Sequence, residues 1–144
     1  MKTILAPVDF SPATAAVVTQ ATALARLLQA RLVLLSVVQA PVIVSEFTPM
    51  MGNTAEFVDA AQQSATDRLH TLQQELPTDL LAVVTESVTG MAAEAIADAA
   101  RRFAADYIVM GSHGHTAFYD LVIGSTTHGV IQRAKCPVVI VPAQ

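Results

Sequence analysis

The sequence contains one cysteine, no tryptophan and no long hydrophobic run. A lone cysteine, Cys136, excludes an internal disulfide and favours a reducing compartment. No apolar run reaches the roughly 18 residues that a membrane span requires. The N-terminal residues also lack the apolar segment and small-residue cleavage site of a secretory signal. These absences lead us to expect a cytoplasmic protein without a membrane span.

Charged residues are also scarce, and those of positive sign are the scarcest. They make up 14% of the 144 residues, only eight are lysine or arginine, and the formal net charge is −4. Because nucleic acid is bound by clustered basic side chains, this composition disfavours a nucleic-acid partner. Any bound nucleotide would have to be held by backbone donors and local dipoles rather than by a positive field.

Short apolar runs, by contrast, are frequent, and hydrophobic residues reach 53% of the sequence, which argues against disorder. They alternate with longer amphipathic runs, a pattern typical of an α/β fold with a parallel sheet. We expect one doubly wound domain over residues 1–144, with a five-stranded parallel sheet and helices on both faces. The predicted strands are residues 3–8, 32–38, 80–84 (extending toward 88), 107–110 and 138–141. The predicted helices are residues 12–28, 53–76, 91–103 and 125–134, with Ser11 as the first N-cap and a loop over residues 39–52.

The stretch from Gly111 to Ser125 combines features that suit phosphate binding. It follows a predicted strand, carries glycines at 111, 114 and 124, and continues into Ser125, Thr126 and Thr127 at the start of a helix. Glycine lets the backbone approach a ligand closely. Successive N–H groups and a helix N-terminus then attract anions. Two of these glycines alone would equally suit an ordinary turn, but the added Gly124-Ser125 favours phosphate binding.

Other nucleotide signatures are missing. The sequence has no GKS or GKT of a P-loop and no G-x-G-x-x-G after the first strand. Asp9 and Gly111 nevertheless both follow the carboxyl ends of predicted strands. In doubly wound sheets ligands bind at that edge, where the strand order reverses. Taken alone, Asp9 is also a common turn residue.

The spacing Gly-x2-Gly-x9-Gly-Ser resembles the nucleotide-binding motif of the universal stress protein family, in its ATP-binding branch. The opening segment, residues 4–11, and the closing segment, residues 136–142, also resemble that family, so the likeness covers the whole chain. The family fold is Rossmann-like and similar to that of adenine nucleotide alpha hydrolases. Where the family often carries Val-Ser after Gly-Ser, this chain has Thr126-Thr127, which keeps a hydroxyl at position 127.

The resemblance implies specific roles for the residues at these positions. Adenine would lie near Pro7, Val8 and the backbone of Val37, and Asp9 would contact the ribose or a phosphate-bound metal. Mg²⁺ can accompany the phosphates, because it is usually held by few protein ligands. The predicted nucleotide-binding residues are Pro7, Val8, Asp9, Val37, Met110, Gly111, Ser112, His113, Gly114, His115, Thr116, Gly124, Ser125, Thr126 and Thr127.

The resemblance also implies a homodimer formed through Val138–Val141, a short apolar strand near the C-terminus that is expected at the sheet edge. We expect an ATP-binding regulatory protein of the stress response, with no catalytic residues and no resident metal. His113 and His115 alone are too few for a metal site. Asp120, Ser125 and His128 lack the spacing of a triad, and Cys136 is interpreted as structural.

Two alternatives remain open. One is an enzyme of similar fold, such as a slow ATP hydrolase, although the loop has no lysine to stabilise transferred charge. The other is a nucleotide-free dimeric adaptor that presents residues 39–52 to a protein partner. Gly114→Val is expected to abolish ATP binding and leave the fold intact, because a β-branched side chain would block the approach of the phosphates.

Overall fold

The computed structural model describes residues 1–39, 54–113 and 123–142. Strands and helices alternate along these residues. The strands are β1 (Thr3–Pro7), β2 (Arg31–Val38), β3 (Val83–Thr89), β4 (Tyr107–Gly111) and β5 (Val138–Val141). The helices are α1 (Thr14–Leu28), α2 (Thr54–Glu75), α3 (Ala92–Arg102) and α4 (Ser125–Arg133).

All five strands pair in parallel, in the order β3-β2-β1-β4-β5. The chain therefore moves outward from β1 to β3, returns to β4, and moves outward again to β5. Since parallel crossovers share one hand, this reversal places helices on opposite faces. α1 and α2 pack on one face and α3 and α4 on the other. The predicted doubly wound α/β fold is confirmed, and β5 is an edge strand.

The central strand β1 and its neighbour β2 are buried on both faces, which explains their continuous apolar runs at residues 4–6 and 32–35. Ile4 and Leu34 belong to the core beneath α1 and α2, whereas Leu5 and Leu35 belong to the core beneath α3 and α4. All four side chains are fully buried. Packing on both faces fixes the register of these strands, and with it the position of their carboxyl ends.

Two elements begin two or more residues after their predicted starts. α1 begins at Thr14 rather than at Pro12, because Ser11 and Pro12 belong to a turn in which the Thr14 N–H donates to the Ser11 carbonyl at 3.0 Å. β3 begins at Val83 rather than at residue 80, because its register against β2 starts with the pair Leu32–Val83. The predicted loop beyond Gln39 and the predicted helix start at Asn53 lie outside the described residues.

Candidate ligand-binding site

A cavity of about 400 Å³ opens at the carboxyl ends of β1 and β4. This is the point where the strand order reverses, and it is the usual ligand position in an open parallel sheet. The volume lies in the range of small-molecule sites. The lining residues are Pro7, Val8, Asp9, Ala13, Thr14, Val17, Val37, Gln39, Ala92, Ile96, Met110, Gly111, His113, Gly124, Ser125, Thr126 and Thr127.

Most of the predicted site residues that the structure describes lie around this cavity. They come from four separate parts of the chain: the ends of β1, β2 and β4, and the first turn of α4. Ser112 is not among the described lining residues; its hydroxyl lies against the ring of His113. Gly114, His115 and Thr116 lie outside the described residues. The binding role of all of these residues remains a prediction.

Sequence reasoning missed several lining residues, namely Ala13, Thr14, Val17, Gln39, Ala92 and Ile96. Most belong to the first turns of α1 and α3, which follow the carboxyl ends of β1 and β3. A helix that follows a strand directly must begin at the same edge of the sheet. This rule could have identified the starts of α1 and α3 as part of the cavity lining from the sequence alone. The Thr14 hydroxyl is buried, and it forms no hydrogen bond with any described residue.

Asp9 lies in a turn that is stabilised by a hydrogen bond to its carboxylate and by packing of the next side chain. Its Oδ1 atom accepts the Ser11 N–H at 2.9 Å, the geometry by which Asp commonly stabilises a turn. Phe10 has φ 60°, which is uncommon outside glycine. Its ring packs on the core and lies 4.4 Å from the Arg68 guanidinium carbon. The exposed Asp9 carboxylate is thereby fixed at the mouth of the cavity.

Glycine is favoured at positions 111 and 124 because backbone segments approach each other closely there. A Cβ atom on Gly124 would lie 3.3 Å from the Ser112 carbonyl oxygen, and one on Gly111 would lie 3.2 Å from the His113 carbonyl oxygen. The Gly124 N–H donates to the Ser112 carbonyl at 2.8 Å. Gly124 has φ −61°, which any residue can adopt, so glycine is favoured there by the close approach of the Ser112 carbonyl and not by a left-handed conformation.

The N-terminus of α4 faces the same cavity. Gly124 is its N-cap, and no side chain in the described ranges caps this end. The first N–H of the helical ladder is that of His128, which donates to the Gly124 carbonyl at 2.9 Å. The N–H groups of Ser125, Thr126 and Thr127 therefore lack intrahelical acceptors. Together with the helix dipole they form a site suited to an anion.

Thr127 connects α4 to the end of β4. Its side chain is buried, and its hydroxyl donates to the Gly111 carbonyl at 2.8 Å. The single hydroxyl proton is used in that bond, so this hydroxyl does not also donate to a ligand. The contact between Thr127 and a phosphate remains a prediction. The Thr127 main-chain N–H is the group that would make it.

Thr127→Val is expected to destabilise the fold by about 1–3 kcal/mol, because the shape is kept but a buried carbonyl loses its donor. Thr127→Ser should retain most of the stability, since it keeps the hydroxyl. Urea unfolding of the wild type and both variants measures the difference. Equal midpoints for wild type and Thr127→Val would show that the bond to Gly111 contributes nothing to stability.

Neither a metal cluster nor a membrane helix is found in the described part of the chain. Residues 1–39, 54–113 and 123–142 contain no group of three or more His, Cys, Asp or Glu side chains placed to hold a metal ion. No helix in these ranges is long and apolar enough to cross a bilayer. Partial burial and, secondarily, Asp106 raise the pKa of the Cys136 thiol. This shift fits a structural cysteine better than a reactive one.

Comparison with known protein families matches residues 1–142 to the universal stress protein family. Universal stress protein Sll1654 of Synechocystis is 33% identical over 98% of this chain and 85% of its own length. Universal stress protein MJ0577 of Methanocaldococcus jannaschii is 30% identical over 60% of this chain. That second sequence match spans only 53% of the relative's length.

Solved structures give the same family. Universal stress protein UspA from Lactobacillus plantarum superposes with a TM-score of 0.84 at 31% identity, covering 97% of both chains. The MJ0577 structure superposes with a TM-score of 0.83 at 27% identity, covering 99% of this chain and 96% of that one. A universal stress protein crystallised in complex with cAMP is 20% identical, with a TM-score of 0.63 and coverage of 97% and 96%. That last likeness shows the shared fold alone.

Proposed function

The chain belongs to the universal stress protein family, and on that premise we propose that it binds ATP at the carboxyl ends of β1 and β4. The observation that carries the proposal is that the N-terminus of α4, which no side chain of the described residues caps, faces the cavity at the point where the strand order reverses. We propose further that ATP binding regulates the protein's interactions in the cytoplasm, and that the protein does not turn the nucleotide over rapidly.

The cavity lining combines apolar side chains, a carboxylate and backbone N–H donors, a combination that suits the base, the ribose and the phosphates of a nucleotide. Apolar side chains from the strand ends, including Val8 and Val37, offer a surface for adenine. The Asp9 carboxylate, at the mouth, suits the ribose hydroxyls as a hydrogen-bond acceptor. The phosphates would lie against the first turn of α4 and beside His113, where the N–H donors are concentrated.

Mg²⁺ would accompany the phosphates in this proposal. Asp9 is the only carboxylate among the described residues that line the cavity. One carboxylate with water molecules and phosphate oxygens is a usual coordination for Mg²⁺. When bound, the ion would neutralise part of the phosphate charge, which the anionic chain cannot do with a field of its own.

The described lining contains no lysine or arginine. Fast phosphoryl transfer depends on positive charge placed to stabilise the transferred group. We therefore propose a binding role, with slow ATP hydrolysis as the alternative that shares the same site. The second alternative, a nucleotide-free adaptor, does not explain why the α4 N-terminus faces a cavity.

We also propose that β5 pairs with β5 of a second copy to form a two-fold dimer. An apolar edge strand invites such pairing. β5 lies at the edge of the sheet, and Val139 is 38% exposed.

Val139→Lys is expected to give a monomer, because the substitution places a lysine on each of two paired edges. Light scattering at micromolar concentration measures the mass. Leu27→Lys is the matched control, because Leu27 is 79% exposed and belongs to α1 rather than to β5. A wild-type chain of monomeric mass, or a Val139→Lys chain that remains dimeric, would contradict the proposed dimer.

Identification of the nucleotide tests the function. Freshly purified protein is denatured, and the released small molecules are separated by chromatography. Stripped protein is then titrated with ATP, ADP and AMP in a calorimeter. Co-purified adenine nucleotide and saturable binding are expected. Absence of both would favour the adaptor, and steady release of ADP over many turnovers would favour the hydrolase.

A further inference from the structure

Ser112 and His113 form a side-chain pair at the end of β4. The Ser112 Oγ atom lies 3.1 Å from Nδ1 of the His113 ring. His113 lines the cavity, whereas Ser112 is not among the described lining residues. Ser112 can therefore influence a ligand in the cavity through the imidazole ring.

The other ring nitrogen of His113 has no hydrogen-bond partner in the part of the chain that the structure describes. Nε2 is buried, and no described residue forms a hydrogen bond with it. Buried polar atoms are nearly always paired, so an unpaired one on a residue that lines the cavity points to a ligand that reaches it after a small movement of the ring. A neutral imidazole carries one donor nitrogen and one acceptor nitrogen, and the bond at one nitrogen decides the role of the other.

The backbone of Ser112 is held firmly enough to orient that ring. Its N–H donates to the Val141 carbonyl at 3.0 Å, and its carbonyl accepts the Gly124 N–H at 2.8 Å. The first bond ties the residue to the end of β5, and the second ties it to the N-cap of α4. The main chain from which the hydroxyl reaches His113 is thus held at both of its polar groups.

We propose that Ser112 is a positioning residue whose hydroxyl donates to Nδ1 of His113, which places the ring proton on Nε2 and presents it as a donor to a phosphate oxygen. This inference rests on the proposed ATP site. The opposite tautomer would present a lone pair at Nε2 to the same oxygen, and two acceptors repel. The Nε2–H tautomer instead adds a neutral donor to those of the α4 N-terminus.

The tautomer can be measured without any nucleotide. The chain is labelled with ¹⁵N-histidine and studied by long-range ¹H–¹⁵N NMR at about pH 8, where an ordinary imidazole is neutral. The sequence has four histidines, and the signals absent from His113→Gln identify His113. We expect an acceptor-type shift at Nδ1 and a donor-type shift at Nε2. Ser112→Ala should give a mixture of tautomers, and Ser112→Thr should restore the wild-type shifts.

Binding supplies the second readout. Ser112→Ala should weaken ATP binding by about 2- to 10-fold, the range expected for a neutral hydrogen bond. Ser112→Thr should bind as the wild type does, and His113→Gln should remove the effect of Ser112→Ala. A wild-type ring with its proton on Nδ1, or Ser112→Ala shifts identical to those of the wild type, would overturn the inference. A wild-type chain that shows the expected tautomer but binds no ATP would overturn the proposed function instead.

Discussion

Gly124→Val is expected to lower the affinity for ATP by about 100-fold or more. Any Cβ atom at this position meets the Ser112 carbonyl at 3.3 Å and the His113 Cα atom at 3.6 Å. A branched side chain must therefore push the N-terminus of α4 away from the end of β4. The N–H groups of Ser125 and Thr126 would move with it, and each hydrogen bond to a charged group is worth about 1.5–3 kcal/mol.

Calorimetric titration with ATP measures this loss, and circular dichroism reports whether the fold survives. Gly124→Ala should fall between the wild type and Gly124→Val, because its single methyl group needs only a small shift of the Ser112 carbonyl. His128→Ala is the matched control, since His128 is exposed on the same helix and does not line the cavity. Unchanged affinity in a folded Gly124→Val protein would refute the phosphate assignment.

Gly129→Val is expected to destabilise the fold by about 3 kcal/mol or more. Gly129 is buried where α4 packs against α3, and a Cβ atom there would lie 2.7 Å from the Ala93 Cβ atom. That distance is far too short for two carbon atoms, and neither belongs to a flexible side-chain end. The helices must separate, and overpacking of this kind costs about 1–3 kcal/mol and sometimes more.

Urea unfolding measures the loss, and a second substitution tests its cause. Ala93→Gly removes the opposing methyl group, so the double variant Ala93→Gly with Gly129→Val should recover part of the lost stability. His128→Val, which places the same side chain on the exposed side of α4, should change stability little. Wild-type stability in Gly129→Val would show that the two helices can separate at no cost.

The fold could be predicted because its apolar pattern is simple. Residues 4–6 and 32–35 are continuous apolar runs that suit strands buried on both faces, and the amphipathic runs between strands suit covering helices. The start of β3 could not be predicted, because pairing with β2 selects it. Leu81 is as apolar as any strand residue and is nevertheless 64% exposed before the strand begins.

The candidate site was predictable where it depends on strand ends. Gly111 is the last residue of β4 and Asp9 lies two residues beyond β1, so their meeting at one edge follows from the topology. The topology also brings the starts of α1 and α3 to this edge, but which of their side chains face the cavity, such as Thr14 and Ile96, depends on helix packing that local pattern does not encode. The bond from the Thr127 hydroxyl to Gly111 joins residues sixteen apart and likewise required the structure.

A crystal structure grown with ATP and Mg²⁺ would show directly where the nucleotide binds. We expect phosphate oxygens within hydrogen-bonding distance of the main-chain N–H groups of Ser125 and Thr126, with adenine beside Val8 and Val37. Clear density for ATP elsewhere on the molecule, with those N–H groups bonded only to protein or water, would contradict it.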